Sequence, residues 1–271
     1  MISEPIEAYS TLPGEQDAGL LFLCDHACNA LPARYGSLGL PQAELERHIG
    51  YDIGADAVTR WLADRFRAPA VFSRYSRLLI DPNRGEDDPT LIMQISDGAL
   101  IPGNVPINPE ERQYRLETFH RPYHDAIERE IASAAASGRL PVLISIHSFT
   151  ASWRGRDRPW HIGCLWDSDY RATRRFLSVF ADQDSIIVGD NEPYDGALKN
   201  DCLYRHGTCL GLAHVLIEIR QDLISDAKGA ASWAERLVPA LEAINADPEC
   251  HELHMFGSRT GPVATRPIPD A

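Results

Sequence analysis

Four short apolar runs in this chain each stop on a cluster of polar residues, and longer amphipathic stretches separate them. The runs cover residues 20–24, 77–80, 142–146 and 214–219. They lead into Asp25-His26, into Asp81-Pro82-Asn83-Arg84, into His147-Ser148, and into Glu218-Ile219-Arg220. Further strand-like runs lie at 70–73, 162–166 and 185–188, and helical periodicity marks 55–67, 109–137, 170–181 and 230–246. Strands alternating with helices predict an α/β fold: a single domain with a mixed, mostly parallel central sheet and helices on both faces. The domain is expected to span 1–271, with its core at about 18–246 and a C-terminal tail at 247–271. In such sheets ligands bind beyond the carboxyl ends of the strands, where these polar clusters fall.

Composition narrows the function classes. The 271 residues are 44% hydrophobic and 24% charged, close to an ordinary globular chain, which excludes disordered and fibrous readings. The net charge of -13, with no arginine-rich aromatic stretch, argues against a nucleic-acid partner. No apolar stretch approaches the roughly 20 residues that span a bilayer. The acidic start, MISEPIEAYSTLPGEQD, has no basic and apolar leader pattern, so a cytoplasmic protein is expected. Six scattered cysteines without a CxxC pair predict reduced thiols. Phosphate-loop, dinucleotide and serine-elbow motifs are all absent.

The chemistry is concentrated at the strand ends. His26 and His147 occupy equivalent positions, and two imidazoles with one carboxylate and an open position make a catalytic zinc site. Asp25, Asn29 and Asp52 compete for the third ligand, and Asp52 has a rival role as a helix N-cap before 55–67. Glu218 ends an apolar strand, where a carboxylate needs a partner such as Arg220 or a role in proton transfer. Arg84 and Arg220 offer forked donors for a substrate carboxylate or a developing oxyanion, or ordinary ion pairs. His124, within a predicted helix, is a substrate contact or a packing residue, and the turn-rich stretch 189–196 is a lid or a plain connection.

These segments resemble the N-formylglutamate amidohydrolase family, of the zinc carboxypeptidase-like group. The resemblance rests on residues 24–32 (CDHACNALP), 48–55 (HIGYDIGA), 76–84 (SRLLIDPNR), Pro122-Tyr123-His124, 146–150 (IHSFT), 189–194 (GDNEPY) and 218–223 (EIRQDL), which together span most of the chain. It implies a zinc carboxypeptidase-like fold with one bound zinc ion. It also implies hydrolysis of the N-formyl or other N-acyl bond of an acidic amino acid, the type reaction being N-formyl-L-glutamate and water to formate and L-glutamate. The group's motifs map in chain order onto His26 and His147 as metal ligands and onto Asn83 and Arg84 for the substrate carboxylate. Glu218 maps as the general base, and from the reading of the residues themselves Ser148, Arg220 and His124 are expected as further substrate contacts. Asn29 stands where the group's motif has a glutamate, so Asp52 is the expected third ligand, and Asp25 stands where many members of the family carry a glutamate. The alternatives are a hydrolase of another N-acyl amino acid or small peptide, and a non-catalytic ligand-binding protein on the same fold.

Overall fold

Both faces of the central strands must be covered, because every residue of β2 (Leu20–Cys24) and of β6 (Val142–Phe149) is buried. The computed structural model, which describes residues 7–181, 183 and 185–270, shows how. Seven strands form one sheet in the order β1 (Tyr9–Leu12), β3 (Ala70–Ser73), β2, β6, β11 (His214–Arg220), β9 (Ile162–Leu165), β10 (Val188–Asp190). The β3-β2-β6-β11 block is parallel, while β1 and β9 each run antiparallel to the strand they join it through. The fold is therefore a mixed, mostly parallel α/β sheet in a single domain, as the alternation predicts. Two small hairpins, β4 (Ile95–Ser96) with β5 (Ala99–Leu100) and β7 (Ser152–Trp153) with β8 (Arg156–Asp157), stand apart from it.

Strand alternation divides the core. Leu20, Phe22, Ile144, Ile146, Val215 and Ile217 point to one face, where Val58 and Leu62 of α2 (Ala55–Phe66), Phe176 of α5 (Arg171–Phe180) and Leu237 and Leu241 of α6 (Ala227–Asn245) cover them. Leu21, Leu23, Leu143 and Leu216 point to the other face, against Tyr123, Ala126 and Ile127 of α4 (Arg121–Ala136). Continuing each strand by alternation puts His147, Glu218 and Asp25 on this second face. The one-turn α1 (Gln42–Leu45) contributes Leu45 to a third cluster with Leu38, Leu78, Leu79, Leu91 and Phe119.

The stretch 109–137 is one helical run in three parts. Asn108 caps it by accepting the Glu111 N–H at 2.7 Å, with Pro109 opening α3 (Pro109–Arg115). A π-helical turn at Leu116–His120 then leads into α4. A second π turn occurs at Tyr204–Thr208. In the tail, Arg266 donates to Glu128 of α4 and to the carbonyl of Arg205 in that second π turn.

Two sequence expectations need correction. Residues 77–80 are not a strand: Leu78, Leu79 and Ile80 are all buried in the third cluster, whereas a strand sends alternate residues to opposite faces. The strand expected at 185–188 begins only at Val188, paired with Ile162, and Ile187 before it is exposed. No helix among the described residues is long and apolar enough to cross a membrane.

Candidate functional site

Register sets the geometry, because Glu218 of β11 lies directly beside His147 of β6 at the carboxyl end of the parallel block. His26 follows β2, and its ring meets the His147 ring edge-on with centroids 4.9 Å apart. Asp52 reaches both. Its Oδ2 lies 2.7 Å from Nδ1 of His147 and 3.2 Å from Nδ1 of His26, and the Ser148 N–H points to it at 3.4 Å. The helix-capping role is thereby corrected, for no side chain caps α2 and Gly54 occupies the N-cap. Gly54 has φ +83°, and a Cβ there would sit 2.1 Å from the carbonyl oxygen of Ile224, so the turn that presents Asp52 requires glycine.

The far nitrogen of each histidine is held by its own carboxylate. Nε2 of His26 is 2.7 Å from Asp81 Oδ1, and Nε2 of His147 is 3.0 Å from Asp25 Oδ2. Asp25 also accepts the hydroxyls of Tyr123 at 2.8 Å and Ser145 at 2.9 Å. Metal-bound imidazoles are commonly oriented this way, with a carboxylate fixing the ring through the nitrogen that does not ligate. His26, Asp52 and His147 each place a donor atom within 4.8 Å of the others, all three buried. Two imidazoles and a carboxylate are a donor set that zinc takes in catalytic sites.

The electrostatics divide the carboxylates. Burial works to raise all of them. For Asp25 the hydrogen bond and charge of His147 overcome it and hold the group at about 2. The charge of His26 and the His147 hydrogen bond hold Asp52 well below the ordinary range, and the charges of Arg77 and His26 do the same for Asp81. The same pairing works on the base side: burial disfavours the charged His147 ring, yet its bonds to Asp25 and Asp52 raise it well above its ordinary value. Glu218 is the exception. Burial, reinforced by the charge of Asp52, pushes it up to about 7 against the opposing charge of His147, and its Oε2 has no hydrogen-bond partner.

A cavity of about 280 Å³ opens over these groups, lined by His26, Asp52, His147 and Glu218 and by Asn83, Arg84 and Ser148. Phe149, Trp166 and Tyr194 give it an aromatic side. Arg84 donates to the carbonyl of Asn83 at 2.8 Å and lies near the Thr90 hydroxyl at 3.3 Å.

Two expected contacts are not in the cavity. Arg220, the last residue of β11, pairs with Asp222 at 2.8 Å and is not the partner of Glu218. His124 is buried on α4 beside His120 and His206, away from the cavity lining. The other candidates for third ligand also have different work: Asp25 orients His147, and the Asn29 amide donates to the carbonyl of Leu45. Sequence reasoning missed Asp81 and Arg77, which clamp His26 and Asp52 together; the only signal was the polar stop after the apolar run at 77–80.

Asp201 also lines the cavity, and burial raises it to about 7 while its Oδ1 accepts the Tyr204 N–H at 2.7 Å. Above about pH 4 the unfolded chain loses this proton first, so stability falls as pH rises from about 4 to about 7 and then levels off. Asp201→Asn keeps the acceptor and removes that slope. The variant is expected to melt increasingly above the parent as pH rises through this window, by up to about 4 kcal/mol at pH 8. Equal melting differences at pH 5 and pH 8 would show that Asp201 ionises normally.

The family model of N-formylglutamate amidohydrolase matches residues 18–225. Among solved structures, the gene product Atu2144 from Agrobacterium tumefaciens is 35% identical with a TM-score of 0.83, over 89% of this chain and 96% of its own. An N-formylglutamate amidohydrolase from Ralstonia eutropha JMP134 is 20% identical with a TM-score of 0.63, over 89% of this chain and 98% of its own. No curated protein matches the chain.

Proposed function

Since this chain belongs to the N-formylglutamate amidohydrolase family, we propose that it hydrolyses the N-acyl bond of a small acidic amino acid, with one zinc ion held by His26, Asp52 and His147. The type reaction is N-formyl-L-glutamate and water to formate and L-glutamate. The observation that carries the reading is the convergence of three buried donors beside Glu218, a carboxyl with one oxygen unpartnered.

Zinc in such a site supplies Lewis acidity toward the acyl carbonyl and toward water. Glu218, in a dry environment that leaves it near neutrality, takes a proton from the attacking water and returns it to the leaving amine nitrogen as the C–N bond breaks. Asp81 and Asp25 fix the two imidazoles, so the site pays no reorganisation during the reaction. Asn83 and Arg84, beside the cavity, bind the substrate carboxylate, with Ser148 as a further polar contact. The aromatic side formed by Phe149, Trp166 and Tyr194 favours a second reading, in which the acyl group or amino acid is bulkier than formylglutamate.

The test measures bound metal and then amine release across N-formyl and N-acetyl derivatives of acidic, neutral and aromatic amino acids. Preference for N-formyl or N-acetyl acidic substrates supports the leading reading. Preference for aromatic ones supports the second, and no turnover by metal-loaded protein overturns both. In the same assay Arg84→Lys is expected to raise KM about tenfold, because a point charge does not reproduce a forked contact worth roughly 1.5–3 kcal/mol. An unchanged KM assigns Arg84 to the local turn alone.

A further inference from the structure

Behind the cavity, on the far side of the Asn83–Arg84 turn, lies a second cluster of buried ligating groups that the proposed hydrolysis does not use. His124, Cys202 and His206 each place a donor atom within 4.8 Å of the others. Nδ1 of His124 is 2.8 Å from Nε2 of His206, and Nε2 of His124 is 3.3 Å from Nε2 of His120. Every one of these side chains is buried.

We propose that His124, Cys202 and His206 form a second binding site, for a thiophilic divalent cation of the zinc type. Two imidazoles and a thiol suit such an ion and are poor ligands for magnesium or calcium, which take oxygen. The site goes beyond the amidohydrolase reading and shares no ligand with it.

Three observations support it. Polar accounting is the first: Nδ1 of His206 and Nδ1 of His120 are buried without a hydrogen-bond partner, which a packing role for these rings leaves unexplained. Convergence is the second: ligating atoms from two stretches far apart in the chain, His124 in one and Cys202 and His206 in the other, come within 4.8 Å of one another, all of them buried. The third is backbone form, since His206 lies within one π-helical turn and His124 follows another by four residues. Such turns are uncommon and recur at functional sites. Binding breaks the S–H bond of Cys202, joins its sulfur to the cation and releases one proton to solvent.

The position also gives the ion something to hold. The His120 Nε2 lies 2.9 Å from the carbonyl oxygen of Arg84, and the Cys202 N–H donates to Asn83 Oδ1 at 3.2 Å. An ion here ties the substrate-binding turn to α4 from below.

Cobalt(II) is the probe, because a cysteine thiolate bound to it adds a charge-transfer band in the near ultraviolet that an imidazole and carboxylate site lacks. Protein stripped by a chelator and reloaded with cobalt is expected to take up about two ions per chain and to show that band. Cys202→Ala should lose the band and about one ion, Cys209→Ser should keep both, and His147→Ala should lose one ion with the band intact. If Cys202→Ala does not fold, His206→Gln replaces it and should lose the same ion. Wild-type protein with no thiolate band overturns the proposal whatever the variants do, and so does a band that survives Cys202→Ala. Loss of the first site alone appears differently, as a single ion with the band present.

Discussion

Glu218→Gln is expected to lower kcat by about 10²–10⁴-fold while metal content stays near that of the parent and the melting temperature does not fall. The amide keeps the shape of the side chain and cannot accept the proton. Retention of fold follows from the surroundings, since among the described residues Glu218 makes no ion pair that the substitution would break, and burial already favours its neutral form. Three outcomes separate three roles. Lost turnover with metal retained marks proton transfer, lost metal marks a ligand, and retained turnover removes Glu218 from the reaction. Substrate KM should change little, because the proposed carboxylate contacts, Asn83 and Arg84, are other residues of the cavity lining.

His147→Ala and Asp52→Ala are expected to abolish metal binding at the His26–Asp52–His147 site, leaving only the ion proposed for the second cluster, and to lower turnover by at least about 10³-fold, in proteins that still fold. Both side chains place their donor atoms in the same buried cluster, so removing either leaves two ligands where zinc needs three. Asp25→Asn provides the contrast. Of His147 its carboxylate touches the outer nitrogen and not the one facing Asp52, so metal affinity should weaken by about 10–100-fold without being lost. Equilibrium dialysis with zinc on the three variants checks the ranking. Full metal content in His147→Ala or Asp52→Ala would remove that residue from the site.

Much of the fold was legible because β2, β6 and β11 are apolar runs with abrupt polar stops, a pattern set by the local requirement to bury both faces of a central strand. The same pattern misled at 77–80, where a run of the same composition buries itself in a separate cluster and makes no ladder. Periodicity does not report which core a run joins. For the site, the polar stops pointed to His26, His147 and Glu218, and the structure brings all three together with Asp52. Arg220 stays outside the lining because its guanidinium is taken by Asp222, two residues on in the chain. The pairing of His26 with Asp81 joins residues 55 positions apart, and only the folded chain reveals it. His124 lies outside the cavity lining, since its helical position could be read but not the depth at which it is buried.

The π turn at Leu116–His120 acts as a phase joint. An α-helix advances about 100° per residue, so the residue absorbed by the wider turn resets which direction the helix presents. Before the joint, Arg115 is locked by the carbonyl of Leu79 and the side chain of Asn104, and within it Leu116 and Phe119 sit in the third cluster. After it, Tyr123 and Ile127 lie on the sheet, with the Tyr123 hydroxyl on Asp25. One rod is thus keyed into two cores at angles that a regular helix does not supply. Deleting a single residue from 116–120 leaves helix propensity and length almost unchanged, yet it turns every downstream side chain by a quarter-circle or more and unseats Tyr123, Ile127 and His124 together. Tolerance to insertion or deletion along this helix is therefore set by angular bookkeeping at one turn, and the regions on either side of it are constrained to change, if they change at all, in concert.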